Sequence, residues 1–241
     1  MINIIKICAK WANDNQGVVT IAVFAATIFL GWASGIFGAL RHKPIFKISV
    51  LDGPTFCSTF PTGEKFKDYD SHRTAIAVYL KIANVGTAPA SIESIFIGYK
   101  WHLNKINILW LKYRLFWFWL ENTITSLEDF KYDFGEHIKV YPFLLQLTNA
   151  TMRETKTYLQ VGQSVNGVVY FEQKSSWGGC FPSPKNGTTK IKLKIKDSFG
   201  GSHIKKTTIP VVPIEEARKY CVTFGKTYDA LRISQSKKNE T

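Results

Sequence analysis

Two hydrophobic patterns divide the chain. From Val18 to Leu40 a run of 23 residues carries no charge, and it halts at Arg41 and Lys43. Beyond it the apolar residues recur at every second position, the period of a half-buried strand. Thr74 to Ala83 shows this best: Ile76, Val78, Leu80 and Ile82 alternate with Ala75, Ala77, Tyr79 and Lys81, and Asn84-Val85-Gly86-Thr87 then turns the chain. Further strands are predicted at 45–51, 91–99, 138–145, 157–161, 165–172, 189–196 and 203–212. Short strands divided by Gly, Pro and Asn predict a mainly β fold, an antiparallel sandwich. Strand–helix alternation is missing, which excludes a doubly wound α/β sheet.

As a helix, the run 18–40 would be about 34 Å long, enough to cross a hydrocarbon core of about 30 Å. A single transmembrane helix that stays in the mature protein is the preferred identity. A cleaved signal is the alternative, with Lys6 and Lys10 as its basic region and Ala33-Ser34-Gly35 as a poor cleavage site, but Ile36, Phe37 and Leu40 continue the apolar run past that point. A buried helix of a soluble core is the third. Ahead of the run, Asn3, Lys6, Lys10 and Asn13 recur at helical spacing among Ile2, Ile4, Ile5, Ile7 and Trp11, so 1–17 reads as a short amphipathic segment or a frayed terminus, with a turn at 13–17.

Orientation follows positive charge near the span ends. Arg41, Lys43 and Lys47 outnumber Lys6 and Lys10 by one, a vote for a cytoplasmic C-terminal domain at the inner (plasma) membrane. Within the span, Thr27, Gly31, Gly35 and Ala39 place four small side chains on one helix face, where two copies could approach closely.

Two stretches of the β region stand out. At 190–196 Ile191, Leu193 and Ile195 point inward, and Lys190, Lys192, Lys194 and Lys196 form one outer row. Such a row either guards an edge strand against aggregation or meets an anionic surface. The segment 108–122, ILWLKYRLFWFWLEN, alternates with its odd positions apolar, Leu109 to Trp119, and Lys112 and Arg114 on the other face. It reads as a core or edge strand, or as an interfacial contact carried by Trp110, Trp117 and Trp119.

Composition adds a basic surplus. Lys and Arg exceed Asp and Glu by 13, and only Lys6, Lys10 and Asp14 precede the span, leaving 29 basic against 17 acidic residues after it. The surplus favours anionic partners. On a tethered domain the nearest anion is the bilayer, so anionic lipid is the expected contact and nucleic acid is not. Four cysteines, 8, 57, 180 and 221, lack the spacing of a zinc site or a disulfide scaffold. Cys57 and Cys180 lie in similar Phe- and Pro-flanked stretches, read as loops, and a bridge between them requires an oxidising compartment; buried free thiols are the alternative.

Phosphate-binding, dinucleotide, zincin and hydrolase-elbow motifs are missing from the sequence, and no cofactor is expected. Asp68, Asp70 and His72 alternate and could face one cation, although Lys65, Lys67 and Arg73 beside them favour a solvated loop. Glu128, Asp129, Asp133, Glu136 and His137 form a second acidic group of the same kind. A metal-dependent hydrolase built on the first set is the least favoured function.

The phrases YLKIANVGTAPASI, LQVGQSVNGVVYFEQ and KIKDSFGG resemble strand and turn signatures of bacterial Ig-like modules. With the anchor, the chain resembles membrane-anchored bacterial proteins carrying such a domain over roughly residues 45–212. That resemblance implies an Ig-like sandwich and a role in binding rather than catalysis. The expected organisation is therefore an amphipathic segment at 1–17, a transmembrane helix at 18–40, a β-sandwich at 41–212, and a short helix with a polar tail at 213–241. The expected function is a non-enzymatic interaction module at the bilayer surface, with a protein partner or with self-association through the helix as a membrane structural or effector protein.

Overall fold

The computed structural model describes residues 6, 10–35, 42–102, 108, 116–121, 128–145 and 157–226, without the side chain of Lys174. They fall into two units, 1–43 and 44–241.

In the first unit, residues 10–14 are helical and Asn15 interrupts them before helix α1 (Gln16–Ala33). The break has a local cause: Asn15 leaves the helical region (φ −121°, ψ 38°), and its amide Nδ2 donates to the Trp11 carbonyl at 2.9 Å. None of the side chains of α1 is buried, and it is long and apolar enough to cross a membrane by length and composition. Its hydroxyls are spent on its own backbone: Thr20 donates to Gln16 O and Thr27 to Val23 O, each at 2.8 Å. This removes two polar groups from an otherwise apolar surface. The helix is shorter than the span read from sequence. Ser34 N–H closes on Leu30 O and Gly35 N–H on Trp32 O, and Gly35 takes φ +73°, the left-handed stop that glycine adopts without a Cβ clash.

In the second unit β3 (Tyr69–Asn84) is the axis of one sheet. β9 (Ser164–Trp177) runs antiparallel along one edge, while β1 (Phe46–Val50) and β2 (Phe56–Phe66) follow each other along the other. The second sheet has the order β11 (Ser202–Pro210), β10 (Thr188–Asp197), β4 (Ala90–Tyr99) and β5 (Phe118–Glu121), with β8 (Tyr158–Leu159) beside the start of β4. β6 (Phe130–Asp133) and β7 (Ile138–Tyr141) form a separate hairpin, and α2 (Ile214–Arg218) follows β11.

One core lies between the sheets. Ile76, Val78, Leu80 and Ile82 of β3 meet Ile95, Ile97 and Tyr99 of β4 and Ile191, Leu193 and Ile195 of β10, all fully buried. Each such aliphatic side chain removed from water contributes about 1.5–3 kcal/mol before entropy is charged. A second core covers the outside of the β3 sheet. Ala75, Ala77 and Tyr79, the other face of β3, pack under Phe130, Tyr141, Ala217, Cys221 and Phe224. The residues after 212 thus belong to the domain and are not an appendage. The polar tail beyond 226 lies outside the described residues.

One stretch departs from expectation here: that around Cys57 is strand β2 rather than a loop. Pro61 and Gly63 mask it in sequence, but the strand bears them next to an irregularity in register at Pro61–Lys65, where a lost donor is tolerated. Of the acidic group at 128–137 only Asp133 lies in a strand, the end of β6, while Glu128, Asp129, Glu136 and His137 lie outside the strands as expected.

The β10–β11 turn is tied to the other sheet through buried Asp197. Its Oδ1 accepts the N–H groups of Phe199 (2.8 Å) and Gly201 (2.9 Å), and its Oδ2 accepts His203 Nε2 at 2.7 Å. Phe46 N–H donates to His203 Nδ1 at 3.2 Å, which fixes the tautomer with the proton on Nε2. Burial works to raise the Asp197 pKa, yet the hydrogen bonds from His203, Gly201 and Phe199 outweigh it and hold the carboxyl below its usual value. A depressed carboxyl contributes stability that is present above the ordinary carboxylate range, about 4, and is lost as pH falls through the folded-state value. Asp197→Asn would set an amide N–H against His203 Nε2–H and is expected to cost about 1–3 kcal/mol at pH 7. Denaturant unfolding at pH 7 and at pH 3 or below checks it, since the gap between variant and wild type should narrow in acid.

Candidate functional site

Strand β10 places Ile191, Leu193 and Ile195 in the core, so Lys190, Lys192, Lys194 and Lys196 share the outer face of the second sheet. β10 is an interior strand, hydrogen-bonded to β4 on one side and β11 on the other. Edge protection therefore does not account for the row.

Register brings further residues beside it. Lys192 lies opposite Gly98, and Gly98 opposite Trp119; Lys194 lies opposite Phe96, and Phe96 opposite Glu121; on the other side Lys206 faces Lys192. Partners in register share a sheet face. The Trp119 indole covers the bare backbone of Gly98, where an added Cβ would come within 3.0 Å of the ring. Lys194 Nζ sits 4.7 Å from the Trp119 centroid and 4.5 Å from that of Phe96, Lys192 5.6 Å from Trp119 and 5.9 Å from Trp117, and Lys196 5.5 Å from Phe96. The ion pairs Arg73–Glu172 and His203–Asp197 lie elsewhere.

The rings help to hold the row together. Neighbouring lysines two residues apart on a strand are separated by about 7 Å, which in water costs about 0.6 kcal/mol per pair. A cation over an exposed ring gains about 0.5–1 kcal/mol. The half-buried stems keep their ammonium heads at the surface.

The lysine row and Trp117 and Trp119, read separately in the sequence, are thus one site. The phase of the aromatic segment is the reverse of that expected. Phe118 and Leu120, the even positions, pack on the core, Phe118 edge-on to Tyr99 at 5.5 Å, and the odd tryptophans lie outside. Gly98 is the reason, since it leaves room on the outer face for an indole. Of the described residues of this segment, 108 and 116–121, Ile108 is helical and Phe118–Glu121 form β5. Trp110 is outside the described residues. Phe96 and Lys100 were missed, though Ser94, Phe96, Gly98 and Lys100 alternate against Ile95, Ile97 and Tyr99 in the sequence.

The remaining candidates are dispersed. Thr27 and Gly31 lie on α1, Gly35 is its left-handed stop, and Ala39 is outside the described residues. Asp68 and Asp70 are exposed at the β2–β3 turn, while His72 packs edge-on to Phe181 at 5.1 Å and burial lowers its pKa against opposing hydrogen bonds from the Cys180 and Asp70 backbone. Asp133 caps its own turn by accepting Gly135 N–H at 2.8 Å. Among the described residues no three His, Cys, Asp or Glu side chains gather as a metal site. Cys57, Cys180 and Cys221 are free thiols, and burial pushes Cys57 up to about 12.

Comparison with known proteins finds no matching family model and no matching curated protein.

Proposed function

We propose that the chain is a membrane-anchored, non-enzymatic interaction module with an Ig-like sandwich, which turns the outer face of its second sheet toward an anionic bilayer surface. The observation that carries this is the position of Lys190, Lys192, Lys194 and Lys196 on an interior strand, the last three bedded on Phe96, Trp117 and Trp119. The outside of the other sheet is covered by the chain's own β6–β7 hairpin and α2. Amphipathic rings beside cations suit the headgroup region, where indoles are enriched and each basic residue near an anionic leaflet adds about 1 kcal/mol.

Strand order supports the Ig-like assignment. β1 and β2, β3 and β9 correspond to strands A, B and E, and β11, β10, β4 and β5 to G, F, C and C′. β3 and β10 carry no cysteine, unlike the strands bridged in antibody domains. The test is sedimentation of residues 44–241 with vesicles: binding to phosphatidylserine vesicles and not to phosphatidylcholine is expected, and equal indifference to both overturns the proposal.

The charge bias of Arg41, Lys43 and Lys47 supports a cytoplasmic domain with α1 in the inner membrane. An impermeant maleimide should then label Ser202→Cys, at an exposed position, only after permeabilisation, with Cys8 and Cys180 exchanged for Ser. Cys57 and Cys221 are buried and should stay unlabelled until the domain is denatured. Labelling of intact cells would reverse the orientation.

A further inference from the structure

At one end of the lysine face the sheet surface sinks into a cavity of about 840 Å³, within the range of about 300–1,000 Å³ that holds small ligands. Lys100, Lys185, Lys190 and Lys206 line it, with Trp117, Asn186 and a set of Ser and Thr hydroxyls, and among the described residues no carboxylate contributes to the lining. Four ammonium groups around one concavity concentrate positive potential. The donors so outnumber the acceptors that a neutral sugar would leave lysines without a counter-charge. A phosphate ester supplies the missing acceptors, with three oxygens and a charge of about −1.5 to −2 on each terminal phosphate. Trp117 adds a flat apolar wall, with Lys100 Nζ 5.7 Å from its centroid.

Much of the wall is built before any ligand arrives. Lys185 N–H donates to Thr188 O (2.7 Å) and Thr188 N–H to Lys185 O (3.1 Å), and Asn186 (φ 51°) and Gly187 (φ 71°) close the two-residue turn in the left-handed conformation that the Asn-Gly pair adopts readily. Ser183 N–H donates to Lys100 O at 2.9 Å, and Val211 N–H to Gly187 O at 2.8 Å, which fixes the turn against β4 and the end of β11. Binding then orders chiefly lysine side chains, a smaller cost than ordering a loop.

We propose that this cavity is a binding site for a small nucleotide-class phosphate ester, its phosphates among Lys100, Lys185, Lys190 and Lys206 and its ring on Trp117. The assignment rests on the outer sheet face being the anion-contact surface. The test titrates the full chain, in phosphatidylcholine nanodiscs at low salt, with uridine 5′-diphosphate, followed by tryptophan fluorescence and calorimetry. Saturable one-to-one binding is expected, with inorganic pyrophosphate about tenfold weaker because it lacks the stacking ring. Lys185→Gln with Lys206→Gln should weaken both about tenfold or more by removing charge-assisted contacts, and Trp117→Leu should erase the advantage of the nucleotide over pyrophosphate. No saturable binding, or binding indifferent to the lysine exchanges, overturns the site. Wild-type binding to phosphatidylserine vesicles, measured alongside, separates the failures: vesicles bound without nucleotide removes the site alone, and neither bound removes the face as well.

Discussion

Exchange of Lys190, Lys192, Lys194 and Lys196 for Gln lowers the affinity of residues 44–241 for phosphatidylserine vesicles about a hundred- to a thousandfold, since each lysine near an anionic leaflet contributes about 1 kcal/mol and four act together. The same variant keeps its thermal midpoint or gains slightly. The self-repulsion of the row and its ring contacts are of similar size and largely cancel, and β10 keeps both ladders of backbone hydrogen bonds whatever its outer side chains are. Loss of binding without loss of stability is the signature of a surface kept for contact. Rising salt should weaken the wild type and leave the variant almost unmoved, because exposed charges are screened beyond about 8 Å at physiological ionic strength. Vesicle sedimentation at several salt concentrations, with a thermal melt of each protein, checks all three. Unchanged binding would move the contact elsewhere on the domain, for instance to the exposed Phe66–Trp177 stack, ring centroids 4.3 Å apart, where β2 and β9 end.

Arg73→Met is expected to destabilise the domain by about 3–5 kcal/mol, the cost of leaving a buried carboxylate without its cation. Arg73 Nε lies 3.3 Å from Glu172 Oε1, whose side chain is fully buried, and Arg73 Nη1 donates to Gly225 O at 3.1 Å. The Tyr170 hydroxyl donates to Glu172 Oε2 at 3.0 Å and accepts Gly225 N–H at 3.1 Å. Burial, with the neighbouring Glu172, holds the Tyr170 hydroxyl protonated well above its ordinary range. The network joins β3 and β9 to the segment after α2, so its loss should also expose that segment, and Phe224 with it, to proteolysis. Arg73→Met combined with Glu172→Leu should recover most of the loss, because neither charge is then stranded. Denaturant unfolding of the two single variants and the double variant gives the coupling directly. A cost for Arg73→Met within about 0.5 kcal/mol, the range of ordinary surface substitutions, would mean that water reaches Glu172.

The antiparallel fold was legible wherever alternation was strict. β1, β3, β4 and β10 stand within a few residues of their expected bounds because their inward faces are apolar, and β11 does so although only Ile209 of it is buried. β2 was not, since Pro61 and Gly63 weigh against a strand locally and only its pairing with β3 outweighs them. The lysine row and Trp119 were each visible, but their meeting depends on β4 lying between β10 and β5 with Gly98 at the crossing. That is a property of strand order, which no local pattern carries. The cavity is harder still to foresee. Lys100, Lys185 and Lys206 come from β4, a turn and β11, and nothing in the spacing of three lysines so far apart announces a shared wall. In the C-terminal segment the helix signal at 213–219 was plain, whereas the burial of Ala217, Cys221 and Phe224 against the small face made by Ala75 and Ala77 was hidden by the polar residues around them.

The early stop of α1 bears on which bilayer suits the chain. An 18-residue helix is about 27 Å long, some 3 Å less than an average hydrocarbon core. If α1 crosses a bilayer by these 18 residues alone, it stands nearly upright or the membrane thins around it, because tilting would only enlarge the deficit. Mismatch of this sign sorts proteins toward thinner membranes. Lengthening α1 by one turn ahead of Ser34 would relieve it.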